Sequence, residues 1–440
     1  MDHGWRFVTS LVIMAFLATV LAVPGVQAGA AGPASVGFDA AAATNAYLAK
    51  QTAEQKGRSD AYFEGGYWLQ LWGFLYGAGI ALLLLFGRVS TRLRDLAVRI
   101  TPRPTLQSAL YWVGYLVVTT VLSFPLTVYS GFVREKAYGL ATQSFGGWMG
   151  DQAKGLLVGA ILGGLALMAL YAVFRHAPRT WWVWGSGLAM VFLVIAIAIG
   201  PVFIDPLFNK YTRLEDPVVR EPILRLARAN MIPATDVLVV DASKQTTRIS
   251  ANVAGMLGTE RIALNDNLLK RCSLPEIEAV MAHEMGHYVL NHVWKGILQL
   301  GLVMVAGFAF VRWSFGRTLA RWGGRWGVSG IADPAGLPLL VLLFSVFFLV
   351  ATPVTNTIIR VQEAEADIYG LNAARQPDGF AETALKLGEY RKLSPGPIEE
   401  AVFFDHPSGR TRISMAMRWK AENLPAGPAS AMPTASGGGF

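Results

Sequence analysis

"YWLQLWGFLYGAGIALLLLF", residues 67–86, decides the fold: it is a 20-residue run without a single charge. As an α-helix it would reach about 30 Å, the thickness of the hydrocarbon core of a bilayer. Five further stretches are similarly apolar: 107–130, 155–174, 181–204, 296–316 and 336–355. Aromatic residues gather at several of their ends, as at Trp181, Trp182 and Trp184, where amphipathic rings favour the membrane–water interface. Across all 440 residues, 53% are hydrophobic and only 15% charged, against roughly 25% charged in soluble proteins. The number and length of the runs exclude a large soluble protein with buried helices.

The chain begins with one more apolar stretch, Phe7 to Val23, followed by small residues ending at Ala28. It reads as a cleaved signal peptide or as a first transmembrane helix, and either directs the protein to a membrane. Cys272 is the lone cysteine, so no intrachain disulfide can form. The net charge of +8 sits largely in short segments between spans, so it does not point to nucleic acid. Arg88, Arg92, Arg94, Arg99 and Arg103 follow the first run, Arg175 and Arg179 lie at 175–179, and Arg312, Arg317, Arg321 and Arg325 lie at 312–334. These three expected loops can share one side, which the positive-inside rule places in the cytoplasm.

Two segments, 205–295 and 356–425, are too polar to span. The first has amphipathic helical spacing around Arg220–Asn230, then short β-branched runs at 236–243 and 247–266 that predict a small β-hairpin or sheet. "LPEIEAVMAHEMGHYVLNHV" (274–293) returns to helical spacing, with Pro275 near its start. The end of the chain, "LPAGPASAMPTASGGGF", is of low complexity and predicts disorder.

His283 and His287 are four residues apart, so one helix face can offer two imidazole nitrogens to one metal ion. Glu284 beside them is placed to take a proton from water activated by that metal. A catalytic zinc needs a third protein ligand. His292, five residues past His287, turns away from the pair on a continuous helix and predicts a surface or capping residue. The candidates lie in "RVQEAEADIYG" (360–370), where Glu363 and Asp367 share a helix face and Glu365 points nearly opposite. Gly286 costs helix stability, and a close approach at that point would account for it.

"HEMGH" followed by "RVQEAEAD" resembles the integral-membrane zinc metallopeptidases of the CAAX prenyl protease 1 type, with the HtpX proteases as more distant relatives. Residues 58–72, 250–269 and 380–413 resemble further parts of that family, so the likeness runs from about 45 to 420. It implies one Zn²⁺ held by His283, His287 and Glu363, with Asp367 orienting a ligating histidine. His406 and Arg412 in "DHPSGRTRI" match residues that assist the polarised carbonyl, and Asn252 matches a position on the substrate-binding edge strand. The chain departs from the family in "HPSG", "NDNLL" and "ANVAG", which loosens the substrate-side match.

The fold expected is mainly α: a polytopic membrane helix bundle with a small α+β zinc-metallopeptidase domain carrying a short β-hairpin or sheet. The expected division is 1–28 as signal peptide or first span and 29–204 as membrane-spanning region. Residues 205–425 form the peptidase domain with spans at 296–316 and 336–355, and 426–440 the tail. The function expected is hydrolysis of peptide bonds in peptide or membrane-protein substrates, including lipid-modified ones, in contact with membrane lipids. In a bacterium the enzyme would sit in the inner membrane with its site facing the periplasm. The alternatives are a broad-specificity quality-control protease and, from another class, an inert membrane scaffold. The sequence does not specify an oligomeric state.

Overall fold

The computed structural model describes residues 38–254 and 261–424. The expected signal or first span at 1–28 and the tail at 426–440 lie outside them. Six described helices are long and apolar enough to cross a membrane: α2 (Ala53–Phe86), α4 (Pro104–Ala137), α5 (Phe145–His176), α6 (Trp181–Phe208), α10 (His292–Trp326) and, with its leading turn, Pro334–Ala374. The α-helical part of the last, Leu337–Ala374, is α11. All six expected runs fall within these helices. Each helix outlasts its apolar run, because nothing in the flanking sequence breaks it and its polar ends find partners. Thr52 caps α2 in a reciprocal capping box with Gln55.

Two expected loops are helical. Residues 89–100 form α3 (Val89–Ile100), an amphipathic helix, and Arg312, Arg317, Arg321 and Arg325 ride on the last turns of α10. The basic segments nevertheless meet at one end of the bundle. Arg88 Nε donates to the Arg325 carbonyl at 3.0 Å, and Arg94 Nη1 reaches Asp333 at 2.8 Å. Arg175 donates to Ser108 Oγ at 3.4 Å, and Ser108 lies near the start of α4. Beneath them Leu84, Tyr111, Tyr171, Phe174, Trp181, Val311 and Phe315 form the bundle's packed interior.

The remaining elements gather at the other end. A helix α1 (Ala40–Leu48) precedes the spans, and α7 (Pro217–Ala229), α8 (Asp266–Arg271) and α9 (Leu274–Val289) come between α6 and α10. After α11 follow α12 (Pro377–Leu387), α13 (Pro397–Phe403) and α14 (Gly409–Asn423). The sheet has four strands, β1 (Tyr211–Arg213), β2 (Val237–Val240), β3 (Ala251–Ala254) and β4 (Arg261–Asn265), in the order β1-β2-β4-β3. β3 and β4 pair antiparallel as the expected hairpin, while β2 and β4 run parallel, with β3, which lies between them in sequence, displaced to the outer edge. Ile223, Val237, Ile262, Leu264, Ile277 and Met281 bury the sheet against α7 and α9. Residues 38–48, which the expected division gave to the membrane-spanning region, pack instead on α12 and α14: Phe38, Ala40 and Tyr47 contact the Phe380–Ile413–Met417 cluster.

Candidate metal centre

The helix α9 is set by its first turn. Ser273 and Glu276 form a reciprocal capping box, and Pro275 occupies a position whose missing N–H costs nothing. From there the helical period brings His283 and His287 onto one face, their Nε2 atoms 3.1 Å apart. The third member arrives on α11. Glu363 Oε2 is 3.3 Å from His283 Nε2, and Glu363 Oε1 is 3.4 Å from His287 Nε2. One donor atom from each of these residues lies within 4.8 Å of the others, the only such group of three His, Cys, Asp or Glu side chains found among the described residues.

Two glycines let α9 and α11 come this close. A Cβ on Gly370 would sit 2.9 Å from the backbone nitrogen of His283, and one on Gly286 would sit 3.2 Å from the Cα of Ala366. The approach expected at Gly286 is thus made by the helix carrying Glu363, through its backbone rather than through the carboxylate itself.

The donor set fits a metal. Glu363 is buried, and its Oε2 has no hydrogen-bond partner, a costly state for a carboxylate unless a cation completes it. Burial pushes the His287 imidazole down to about 4, leaving it neutral as a ligand must be. For His283 burial acts in the same direction, but the carboxylates of Asp367 and Glu363 override it and lift the imidazole to about 9. A metal must therefore displace a proton to bind there. Burial also raises Glu284 to about 7, reinforced by the charge of Glu363.

Around this set the other expected residues take distinct places. Asp367 is fully buried and accepts from His283 Nδ1 at 2.8 Å. Arg412 grips both oxygens of Asp367, through Nε at 2.9 Å and through Nη2. Its guanidinium is engaged behind His283. His406 faces the centre: its Nε2 is 3.3 Å from Glu363 Oε2, and its Nδ1 is 2.8 Å from Asp405. Asn252 is exposed on β3, the edge strand, paired in register with Ala263. A cavity of about 250 Å³ opens beside the centre, walled by Ser250 and Ala251, by Val280 and Glu284, and by Thr383 and Leu387. The strand wall stops one residue short of Asn252.

His292 is not a surface residue. It is buried, its Nδ1 lies 2.9 Å from His287 Nδ1, and its Nε2 lies 3.0 Å from Glu365, which also takes Lys295 at 3.0 Å. If His287 offers Nε2 to a metal, its Nδ1–H donates to His292, and the Nε2–H of His292 donates to Glu365. The expectation failed because α9 ends at Val289 and Asn291 adopts a left-handed conformation (φ 56°) before α10 starts at His292. The helical angle from His287 cannot be carried across that turn. An Asn beside the end of a periodic segment was the available signal.

Comparison with known proteins gives the same picture. Residues 43–210 match the family model for the CAAX prenyl protease N-terminal region of five membrane helices, and residues 213–420 match that for peptidase family M48. The chain is 31% identical over 360 residues to an uncharacterized metalloprotease, YhfN, of Bacillus subtilis, covering 80% of this chain and 84% of that one. It is 28% identical over 322 residues to a CAAX prenyl protease 1 homolog of Oryza sativa, covering 70% and 73%. The crystal structure of S. mikatae Ste24p superposes with a TM-score of 0.71 at 22% identity, covering 86% of this chain and 94% of that one, which establishes a shared fold. With both family models matched in tandem, and a relative aligned along most of its length, this chain belongs to the multi-pass membrane metalloproteases of peptidase family M48.

Proposed function

We propose that the protein is a zinc metalloendopeptidase of the CAAX prenyl protease type, with one Zn²⁺ held by His283, His287 and Glu363. The observation that carries the assignment is the buried carboxylate of Glu363, its unpartnered Oε2 facing His283 Nε2 and its Oε1 facing His287 Nε2. Bound zinc would supply Lewis acidity, polarising a carbonyl and making water nucleophilic near neutral pH.

The protein's own residues do the rest. Glu284 takes the proton from the attacking water and passes it to the leaving amine. Burial raises its pKa above the ordinary carboxylate value in the metal-free site, which favours it as a proton acceptor. His406, its Nδ1–H donating to Asp405, points Nε2 at the centre and, when a second proton is carried there, donates to the oxyanion that develops on the carbonyl. Arg412 acts one step removed, as the clamp on Asp367 that fixes the His283 ring. A peptide adds alongside β3 at Asn252, with backbone hydrogen bonds to the edge strand.

The substrate class follows from the setting. The centre lies where α10 begins and α11 ends, both of them spanning helices, so an extended segment lying on or anchored in the membrane reaches it more readily than a folded protein. We extend to this chain the substrate type named for its relatives, a lipid-modified C-terminal peptide. The basic helix ends lie at the opposite end of the bundle, which favours a site facing the periplasm in a bacterium.

Metal analysis paired with cleavage assays on wild type and Glu284→Ala tests the assignment. One zinc per chain and loss of cleavage in the variant are expected; a zinc-free wild type, or a variant of equal activity, refutes it. A matched set of prenylated and unmodified peptides tests the substrate type. Equal cleavage of both would leave a broad-specificity membrane protease instead.

A further inference from the structure

We infer that Arg391 is a carboxylate receptor in the wall of the metal-centre cavity, selecting substrates with a carboxylate on the leaving side of the scissile bond. The inference rests on the peptidase reading above.

Arg391 lies between α12 and α13 and lines the cavity together with Glu284, Glu363 and His406. Of the other charged groups there, Glu284 faces the centre as the proton carrier of the proposed reaction, and the rest are engaged. Arg412 is clamped on Asp367, His406 is held by Asp405, and Glu363 faces the histidines. Next in sequence, Lys392 pairs with both Glu64 and Glu399. Among the basic side chains lining the cavity, only the guanidinium of Arg391 has no hydrogen bond or ion pair to any described residue. Only its backbone is engaged, its carbonyl accepting from Ser59 Oγ at 3.2 Å. Burial depresses its pKa, the mark of a cation drawn out of water. Asp405, the nearby carboxylate that would neutralise it, is turned to His406 at 2.8 Å.

The guanidinium is half-buried in the cavity wall, feels the charges of Asp405 and Glu363 without bonding either, and so keeps its hydrogen-bond donors free for a ligand. Its planar fork matches a carboxylate in two parallel hydrogen bonds. The side on which that carboxylate arrives follows from Glu284. Because Glu284 returns the proton to the leaving amine, the residues after the scissile bond lie on its side of the centre. That side is walled by Ala279 and Val280, one turn earlier on α9, and by Ala384 and Leu387 of α12. The volume of about 250 Å³ is at the small end for ligand pockets. It suits a short apolar segment that ends there, with its terminal carboxylate on Arg391. An Asp or Glu side chain in that segment would present the same chemistry.

The test uses the full-length protein, zinc-loaded in detergent, with three internally quenched peptides of one sequence. One ends in a free acid, one in a carboxamide, and one in a carboxamide with Glu placed among the last three residues. For wild type the carboxamide is expected to raise KM by about tenfold or more, the scale of a charge-assisted hydrogen bond. Arg391→Gln should treat acid and amide alike, and Arg391→Lys should keep part of the preference. Recovery by the Glu peptide identifies a side chain as the source; failure to recover identifies the chain terminus. Equal KM values for all three in wild type, or a preference that survives in Arg391→Gln, overturns the inference. If no peptide is cleaved, the peptidase reading fails, and calorimetric binding decides the receptor separately. The full-length Glu284→Gln protein should bind a tripeptide acid at least tenfold more tightly than its amide, a difference lost with Arg391→Gln added. Equal binding overturns the inference.

Discussion

Four of the six histidines in the chain stand at the metal centre, and each is held differently. His283 leans on Asp367 and Arg412, His287 on His292 and Glu365, and His406 on Asp405. Such partners orient a ligand ring and raise its basicity, and losing one costs roughly ten- to a hundredfold in metal affinity. His292→Ala should therefore weaken zinc binding by about that factor while Glu284 stays intact; competition with a chromophoric chelator measures it, and unchanged affinity would show that His292 only fills space. Arg412→Ala should cost more, about 3–5 kcal/mol of stability, because it strands the fully buried Asp367. Denaturant titration reads that loss. Glu284 makes a pH prediction. Its folded-state pKa, about 7, lies above its ordinary value of 4.5, so the stability it contributes is full below about 4.5 and is lost as pH rises through 7. With zinc chelated, wild type should lose more thermal stability between pH 5 and pH 8 than Glu284→Gln. Equal losses would mean that Glu284 is not held in an ion-excluding site. The pair on α9 could be read from four-residue spacing alone, since one helix fixes both side chains. His292 could not, because its ring returns to His287 only through the left-handed turn at Asn291.

At the scale of elements, the centre depends on two helices that approach at glycines. At both glycines an added Cβ would meet backbone, and Gly370 is the tighter contact, at 2.9 Å from the His283 nitrogen against 3.2 Å from the Ala366 Cα at Gly286. Gly370→Ala should push α11 from α9, separating Glu363 from His283 and His287. Zinc content and activity should fall together, with a stability loss of about 1–3 kcal/mol from overpacking. Gly286→Ala, whose Cβ would come to 3.2 Å from the Ala366 Cα, is also tight but should be milder. Metal content per chain after gel filtration distinguishes the two, and equal retention would dissolve the argument. The spans themselves were legible, because uncharged runs of twenty residues leave few alternatives. Their true ends were not: α10 carries Arg317, Arg321 and Arg325 beyond its apolar run, where hydropathy falls but helix propensity does not. The sheet order β1-β2-β4-β3 was also out of reach, since the parallel pairing of β2 with β4 is a tertiary contact with no local signature.

Across the whole molecule, chemistry and charge sit at opposite ends. α10 starts beside the metal centre at His292 and ends among the arginines at Trp326, about 50 Å away at 1.5 Å per residue, enough to cross a bilayer and extend beyond it. If the basic end is held in the cytoplasm, every catalytic group lies on the far side. Single-cysteine labelling tests this without removing the native thiol. Cys272 is half-buried and its pKa is pushed up to about 11 by burial, so little of it is thiolate at neutral pH and it reacts slowly. Arg92→Cys marks the basic end and Arg418→Cys, exposed on α14, marks the peptidase end. In sealed right-side-out vesicles from a bacterial host, an impermeant maleimide should label position 418 and spare position 92, and inverted vesicles should reverse the pattern. Labelling of 92 alone in right-side-out vesicles would turn the molecule over, placing the site on the cytoplasmic face, where its substrates would have to be finished before export rather than after it.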